Sequence, residues 1–187
     1  MNERSADRPD IQVRRLAVDD WQQARAARLA ALADAPYAFS STLAKEQAYG
    51  DELWRSRAGS GRTFGAFDRA TIVGLATGIP ADELDGRTPG EARNGHLSDS
   101  VQRDWHLVGM WVAPDYRGRG VADRLVDAVC ERAGEAGATT VMLWVTEGND
   151  RAAALYRRHG FGPTGIRQLA RPEEPDRWEM QLACRLR

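Results

Sequence analysis

The sequence predicts one α/β domain, a central sheet flanked by helices. Three observations predict it. Short β-branched or alternating runs take turns with helical patterns along the 187 residues. A chain of this length suits one domain and buries most of its apolar surface without disulfide or metal staples. An apolar run ending at Val112 passes through a basic, glycine-containing turn straight into an amphipathic helix.

Residues 1–10 are polar and read as a disordered tail, which leaves 11–187 as the domain. Ile11 to Leu16 alternates as a first strand. Asp19 or Asp20 is placed to cap a helix running to about Ala33, and Pro36 stops it. Residues 36–50 read as a loop holding Tyr37, Phe39 and Glu46, and Asp51 to Arg57 as a second short helix. Arg62–Phe67 and Thr71–Ile79 read as paired strands joined at Asp68 and Arg69. Residues 80–104 are polar, with scattered Gly, Pro, Asp and Arg. That is long for a structureless connection, so they read as a substrate-side flap or an insertion. Trp105–Val112 is the next strand. Residues 121–134 form a helix with Ala122, Leu125, Val126, Val129 and Ala133 inward, ended by Gly134 and Gly137. Thr140–Val145 is a buried strand, and Asn149 opens another helix. Phe161–Leu169 and Trp178–Leu182 close the sheet as an antiparallel pair.

The turn between strand and helix is Val112-Ala113-Pro114-Asp115-Tyr116-Arg117-Gly118-Arg119-Gly120-Val121-Ala122. Two glycines let the backbone turn tightly and expose its N–H groups. The new helix aims its free N–H donors and positive dipole end at the same place. Arg117 and Arg119 add positive charge. The segment is a receptor for a phosphate-bearing ligand. A G-x-x-x-x-G-K-[ST] loop is excluded, because the only lysine is Lys45. A G-x-G-x-x-G fingerprint fails at its third glycine, where Asp123 stands. The pattern R-x-x-G-x-[GA] is met by Arg117, Gly120 and Ala122.

A second pattern, N-x-x-A-x-x-L-Y-x-x-x-G-F, runs from Asn149 to Phe161. Asn149 or Asp150 caps a helix; Ala152, Leu155 and Tyr156 share one face; Gly160 ends it. With both motifs in this order, one helix and one strand apart, the chain resembles the GNAT acetyltransferases over about residues 11–185. The resemblance implies a mixed, mostly antiparallel sheet of about seven strands, with strands 4 and 5 splayed around the pantetheine arm of acetyl-CoA.

It further implies the site. Backbone N–H groups across Arg117, Gly118, Arg119, Gly120, Val121 and Ala122 would hold the pyrophosphate. Met110, Trp111 and Val112 would line the arm, with the Met110 N–H as oxyanion donor and Gly109 marking a bulge that aims it. Asn149 would reach the arm through its amide. Tyr156 would return a proton to the leaving thiolate. The base is open: Glu46 lies in a segment that borders the acceptor pocket in this family, His106 shares a face with Met110 if no bulge intervenes, and Glu147 ends the fifth strand. Tyr37, Phe39, Trp111, Trp144 and Trp178 are aromatic candidates for the acceptor pocket, bordered by 36–50, 80–104 and Arg167–Asp176.

The expected activity is acetyl transfer from acetyl-CoA to a primary amine by direct attack on the thioester, with a small-molecule acceptor. A protein or peptide acceptor, or a non-catalytic acyl-CoA sensor, are the alternatives. A formal net charge of −1 gives no bulk attraction to nucleic acid. No apolar run approaches a membrane span. Cys130 and Cys184 and the three histidines lack metal-site spacing, so no metal is expected. The two thiols read as reduced and the protein as cytoplasmic. A homodimer is left open.

Overall fold

The computed structural model describes residues 10–83 and 104–186. The expected tail over residues 1–9, and residues 84–103 of the expected flap, lie outside the described residues. Seven strands form one sheet in the order β1-β2-β3-β4-β5-β7-β6. They are β1 (Ile11–Arg15), β2 (Thr63–Asp68), β3 (Thr71–Pro80), β4 (Asp104–Val112), β5 (Thr140–Thr146), β6 (Gly162–Leu169) and β7 (Trp178–Arg185). Neighbours are antiparallel except β4 and β5, which are parallel. The helices are α1 (Trp21–Asp34), α2 (Leu43–Gln47), α3 (Asp51–Gly59), α4 (Val121–Glu135) and α5 (Asp150–Arg158).

The sheet separates two apolar layers. On one face α4 and α5 bury Leu125, Val126, Val129, Leu155 and Tyr156 against β-strand residues such as Val73, Leu107 and Leu143. On the other, α1 buries Ala24, Ala27, Ala31 and Leu32 against Phe67, Ile72, Leu75 and Trp111. Alanines at this face let α1 lie close to the strands. In α4 the stripe is headed by Val121 rather than Ala122, which is only partly buried. The i, i+4 series 121-125-129-133 explains the shift.

Three local expectations are corrected. Asp20 does not cap α1 through its side chain. Its carboxylate accepts from the Ala17 N–H at 2.7 Å and pairs with Arg14, closing a 3-10 turn over Val18–Asp20. Residues 36–50 are not all loop. Thr42 Oγ1 accepts from the Lys45 N–H at 3.2 Å and starts α2, which is too short to show a periodic pattern. Gly134 lies inside α4, and the turn that ends the helix donates the Ala138 N–H to Ala133 O at 2.9 Å.

Leu125 is fully buried on α4, and its Cδ1 lies 3.0 Å from where a Cβ on Gly74 of β3 would sit. Leu125→Ala is expected to cost about 2–5 kcal/mol, read as a lower urea midpoint at unchanged m-value.

Candidate active site

The parallel ladder between β4 and β5 has only the pairs Asp104–Thr140, Trp105–Val141 and His106–Met142. Past them β4 stays with β3, and β5 stays with β7 through Thr146. The inner edges of β4 from Leu107 and of β5 from Leu143 therefore diverge without a ladder, as the resemblance implied. Opposite β3 the register slips: Leu75 pairs with Trp111 and Thr77 with Val108. Gly109 and Met110 thus face Ala76 alone, which is a β-bulge. Gly109 has φ +66°, and a Cβ there would have Arg28 Nη1 at 3.7 Å and Thr77 Oγ1 at 4.0 Å. Backbone conformation, not lack of space, calls for glycine.

The bulge decides one conditional expectation. His106 and Met110 do not share a face, because the extra residue reverses the alternation. Trp105 and Leu107 before the bulge, and Met110 and Val112 after it, all join the α4-side layer. His106 alternates with Trp105 and Leu107 and so belongs to the α1 side.

The turn after β4 exposes a run of donors. Residues 117–120 form a turn in which no carbonyl among the described residues accepts a bond of good geometry from the N–H groups of Gly118 to Asp123, and the first well-formed backbone bond of α4 runs from Arg124 N–H to Gly120 O at 3.3 Å. Gly118 and Gly120 have φ of +74° and +73°, and a Cβ on either would meet nothing within 4 Å. The left-handed turns point successive amides the same way, into the field of the α4 dipole. Arg119 stacks over Tyr116, whose hydroxyl donates to Asp68 at 2.6 Å. Arg117 is held structurally: its Nε donates to Val112 O at 2.9 Å and its Nη2 to Asp34. Asp34 also accepts from Trp111 Nε1 at 2.9 Å, so the Trp111 side chain faces α1 and only its backbone runs along the gap.

Asn149 caps α5, its Oδ1 accepting from Ala152 N–H at 3.2 Å, which leaves Nδ2 as a donor. Tyr156 is 6% exposed in the α4-side layer that Met110 also joins, its ring edge-on to Phe161. Burial alone raises its phenol pKa above the ordinary value.

On the α1 side, Glu46 is buried and accepts from Arg28 Nε at 3.0 Å, Arg28 Nη2 at 2.7 Å and Arg57 Nη1 at 3.3 Å. Burial opposes its charge, but the Arg28 and Arg57 guanidiniums win and hold its pKa below the usual carboxylate value. Glu147 is likewise paired, with Arg167 at 2.6 and 2.8 Å. Two expected pocket borders are tied together. Arg171 donates to Phe39 O at 2.8 Å and Ser41 O at 2.9 Å, and Arg177 to Phe39 O at 3.1 Å. Of the aromatic candidates, Tyr37 and Trp178 are exposed, while Phe39 and Trp111 are core. Sequence reading missed Arg28, Asp34 and Arg171. Arg28 had a signal: it completes the spacing 24-27-28-31 in which its neighbours are buried alanines.

His106 is 2% exposed, and its Nε2 has no hydrogen-bond partner. Burial lowers its pKa from 6.5 to about 4. Above pH 6.5 both folded and unfolded imidazoles are neutral, and the full stability is present. As pH falls from 6.5 to about 4 the unfolded chain takes up a proton that the folded one refuses. Stability is then lost, by up to roughly 3 kcal/mol. Urea midpoints measured from about pH 7.5 to about pH 4.5 should fall less steeply for His106→Gln than for the wild type. Parallel curves would contradict the buried neutral imidazole.

Comparison with known proteins bears on the same segments. The curated relatives match in part: an uncharacterized N-acetyltransferase of Mycobacterium tuberculosis is 36% identical over 83 residues, 44% of this chain and 51% of that protein. The mycothiol acetyltransferase of Corynebacterium aurimucosum is 45% identical over 56 residues, 30% of this chain and 18% of that protein. The chain thus spans about half or less of the length of these relatives. Among solved structures, a GNAT-family acetyltransferase from Streptococcus pneumoniae superposes with TM-score 0.72 at 16% identity, covering 95% of this chain and 100% of that one. An acetyltransferase from Salmonella typhimurium, solved with its cofactor acetyl-CoA, gives 0.72 at 12% identity, covering 95% of each. At such identities the likeness is one of fold. The family model described as Acetyltransferase (GNAT) family matches residues 14–161, which take in the bulged strand, the donor-rich turn and the α5 helix, and the chain belongs to that family.

Proposed function

We propose that the protein transfers an acetyl group from acetyl-CoA to a primary amine on a small molecule. The observation that carries this reading is the unladdered gap between β4 and β5, with a run of unbonded amides at the head of α4. Gly118 to Ala122 suit a pyrophosphate, since they lead into the N-terminus of α4 and no side chain crowds the glycines. The free inner edge of β4 suits a pantetheine arm that bonds as an added strand would, with the Asn149 Nδ2 as a further donor. The related fold solved with acetyl-CoA supports the same ligand.

Acetyl-CoA brings an activated acyl group and a thiolate leaving group. The chain's own residues supply the rest. The Met110 N–H, in no register pair with β3 or β5, is the donor for the oxyanion of the tetrahedral intermediate. Tyr156 is the acid. A phenol raised by burial is a weaker acid in isolation, but the same dry surroundings penalise a thiolate, so the pair stays matched.

The proton of the acceptor amine, with pKa near ~10, leaves to water. Glu46 acts as an anchor for two arginines, His106 is held neutral and weakly basic, and Glu147 is bound to Arg167. The staple between residues 39–41 and Arg171 favours a closed pocket over an open peptide groove.

The test is thiol release from acetyl-CoA over a panel of amines. Turnover on small amines is expected; tight acetyl-CoA binding with no release on any amine would make the chain a sensor. Tyr156→Phe is expected to lower kcat about 10²- to 10⁴-fold while acetyl-CoA binding holds within about twofold. Unchanged kcat, with chemistry limiting, would remove Tyr156 from the acid role.

A further inference from the structure

Arg28 is a tightly held guanidinium on the acceptor side. Its Nε and Nη2 fork onto Glu46 at 3.0 and 2.7 Å, and its flat face stacks on Phe39 at 4.6 Å. Those contacts fix the plane and turn the remaining nitrogen away from Glu46. That nitrogen, Nη1, is shielded from solvent and has no hydrogen-bond partner among the described residues. Charged donors are seldom left so, because burying one unpaired costs more than a neutral one.

Its location gives it meaning. Nη1 lies 3.7 Å from where a Cβ on Gly109 would stand, a point 4.0 Å from Thr77 Oγ1, which bonds Thr63 Oγ1 at 3.0 Å. Gly109 precedes Met110, the residue whose N–H is assigned to the thioester carbonyl. The charge count around the arginine is uneven. Among the described residues one carboxylate, Glu46, is shared by Arg28 and Arg57, so their two positive charges meet one negative charge.

We propose that Arg28 Nη1 receives the carboxylate of the acceptor, so that the acceptor is an α-amino acid or a close relative. This rests on the reading above that acetyl transfer occurs at Met110. One residue step, about 3.8 Å, separates Gly109 from Met110, and amine and carboxylate of an α-amino acid are a comparably short distance apart. A peptide N-terminus carries a neutral amide at that place, whose carbonyl accepts from Nη1 but leaves the guanidinium charge unmatched and the bond weaker. Glu46 is then a positioning residue: it orients the fork and keeps Arg28 from folding onto the sheet.

The test compares common amino acids with their carboxamides in calorimetric titrations of the wild-type protein, with and without coenzyme A. At least one amino acid should bind about 10- to 100-fold tighter than its carboxamide, and kcat/KM for thiol release should show the same ratio. Arg28→Gln should bring that ratio close to one. Equal binding of every acid and amide pair overturns the proposal, as does turnover of neutral amines with no amino acid bound. The wild-type comparison stands even if Arg28→Gln folds poorly. A carboxylate preference without coenzyme A binding would support the anion site and count against the transfer reading, which keeps the two failures apart.

Discussion

β4 keeps its ladder with β3 along nearly its whole length and its ladder with β5 over three residues only. A strand in mid-sheet that gives up one neighbour leaves backbone donors and acceptors that must be met by something else. The separation is sustained from both sides. β5 is committed to β7 over all seven of its residues, so it cannot swing back. The Gly109 bulge twists β4 just past the last shared pair. The floor of the opening comes from one short stretch of chain. Asp34, at the end of α1, accepts from Trp111 and Arg117 at the end of β4; three residues later the Tyr37 carbonyl accepts from Thr146 at the end of β5. The distance between the diverging ends is thereby tied to a fixed length of backbone.

This arrangement changes how the arginines of the basic turn are understood. Arg117 looks in sequence like charge aimed at phosphate, but its guanidinium joins the turn to α1 and to the end of β4. What faces outward is the row of amides from Gly118 onward. Backbone donors do not pay side-chain entropy on binding, and they lie in register with the α4 dipole. A turn built from them recognises an anion by shape first and by net charge second, which fits a chain whose overall charge is close to zero.

Much of this was legible in the residues. The donor-rich turn, the Asn149 cap, the helix carrying Tyr156 and the order of the strands all follow from local spacing, because each is decided by neighbours within a few positions. The acceptor side was legible only in part. Glu46 was singled out, but its meaning depends on Arg28 and Arg57, which are 18 and 11 residues away and meet it only once α1, α2 and α3 have packed. Whether His106 shares a face with Met110 was conditional on the absence of a bulge between them, and a glycine alone does not say whether it marks a bulge or a close contact. The space beside Gly109 decides between them.

The two faces of the sheet therefore carry different kinds of site. On the α4 side the groups assigned to the donor are backbone amides and a phenol in an apolar layer, a set that depends little on which side chains surround it. On the α1 side the charged groups pair with each other: the buried Glu46 with two arginines, and the part-buried Asp34 with Trp111 and Arg117. A buried ion pair contributes little net stability once desolvation is counted, so its presence beside the gap calls for a reason other than folding. The unmatched Nη1 of Arg28 supplies one. A guanidinium clamped on two sides and unpaired on the third is already ordered before any acceptor arrives, so the entropy of fixing it is met in folding rather than in binding. On the proposed reading, that division, generic amides on one face and a pre-ordered charged fork on the other, would let one fold keep its acyl donor while the acceptor is set by a few residues on α1 and α2.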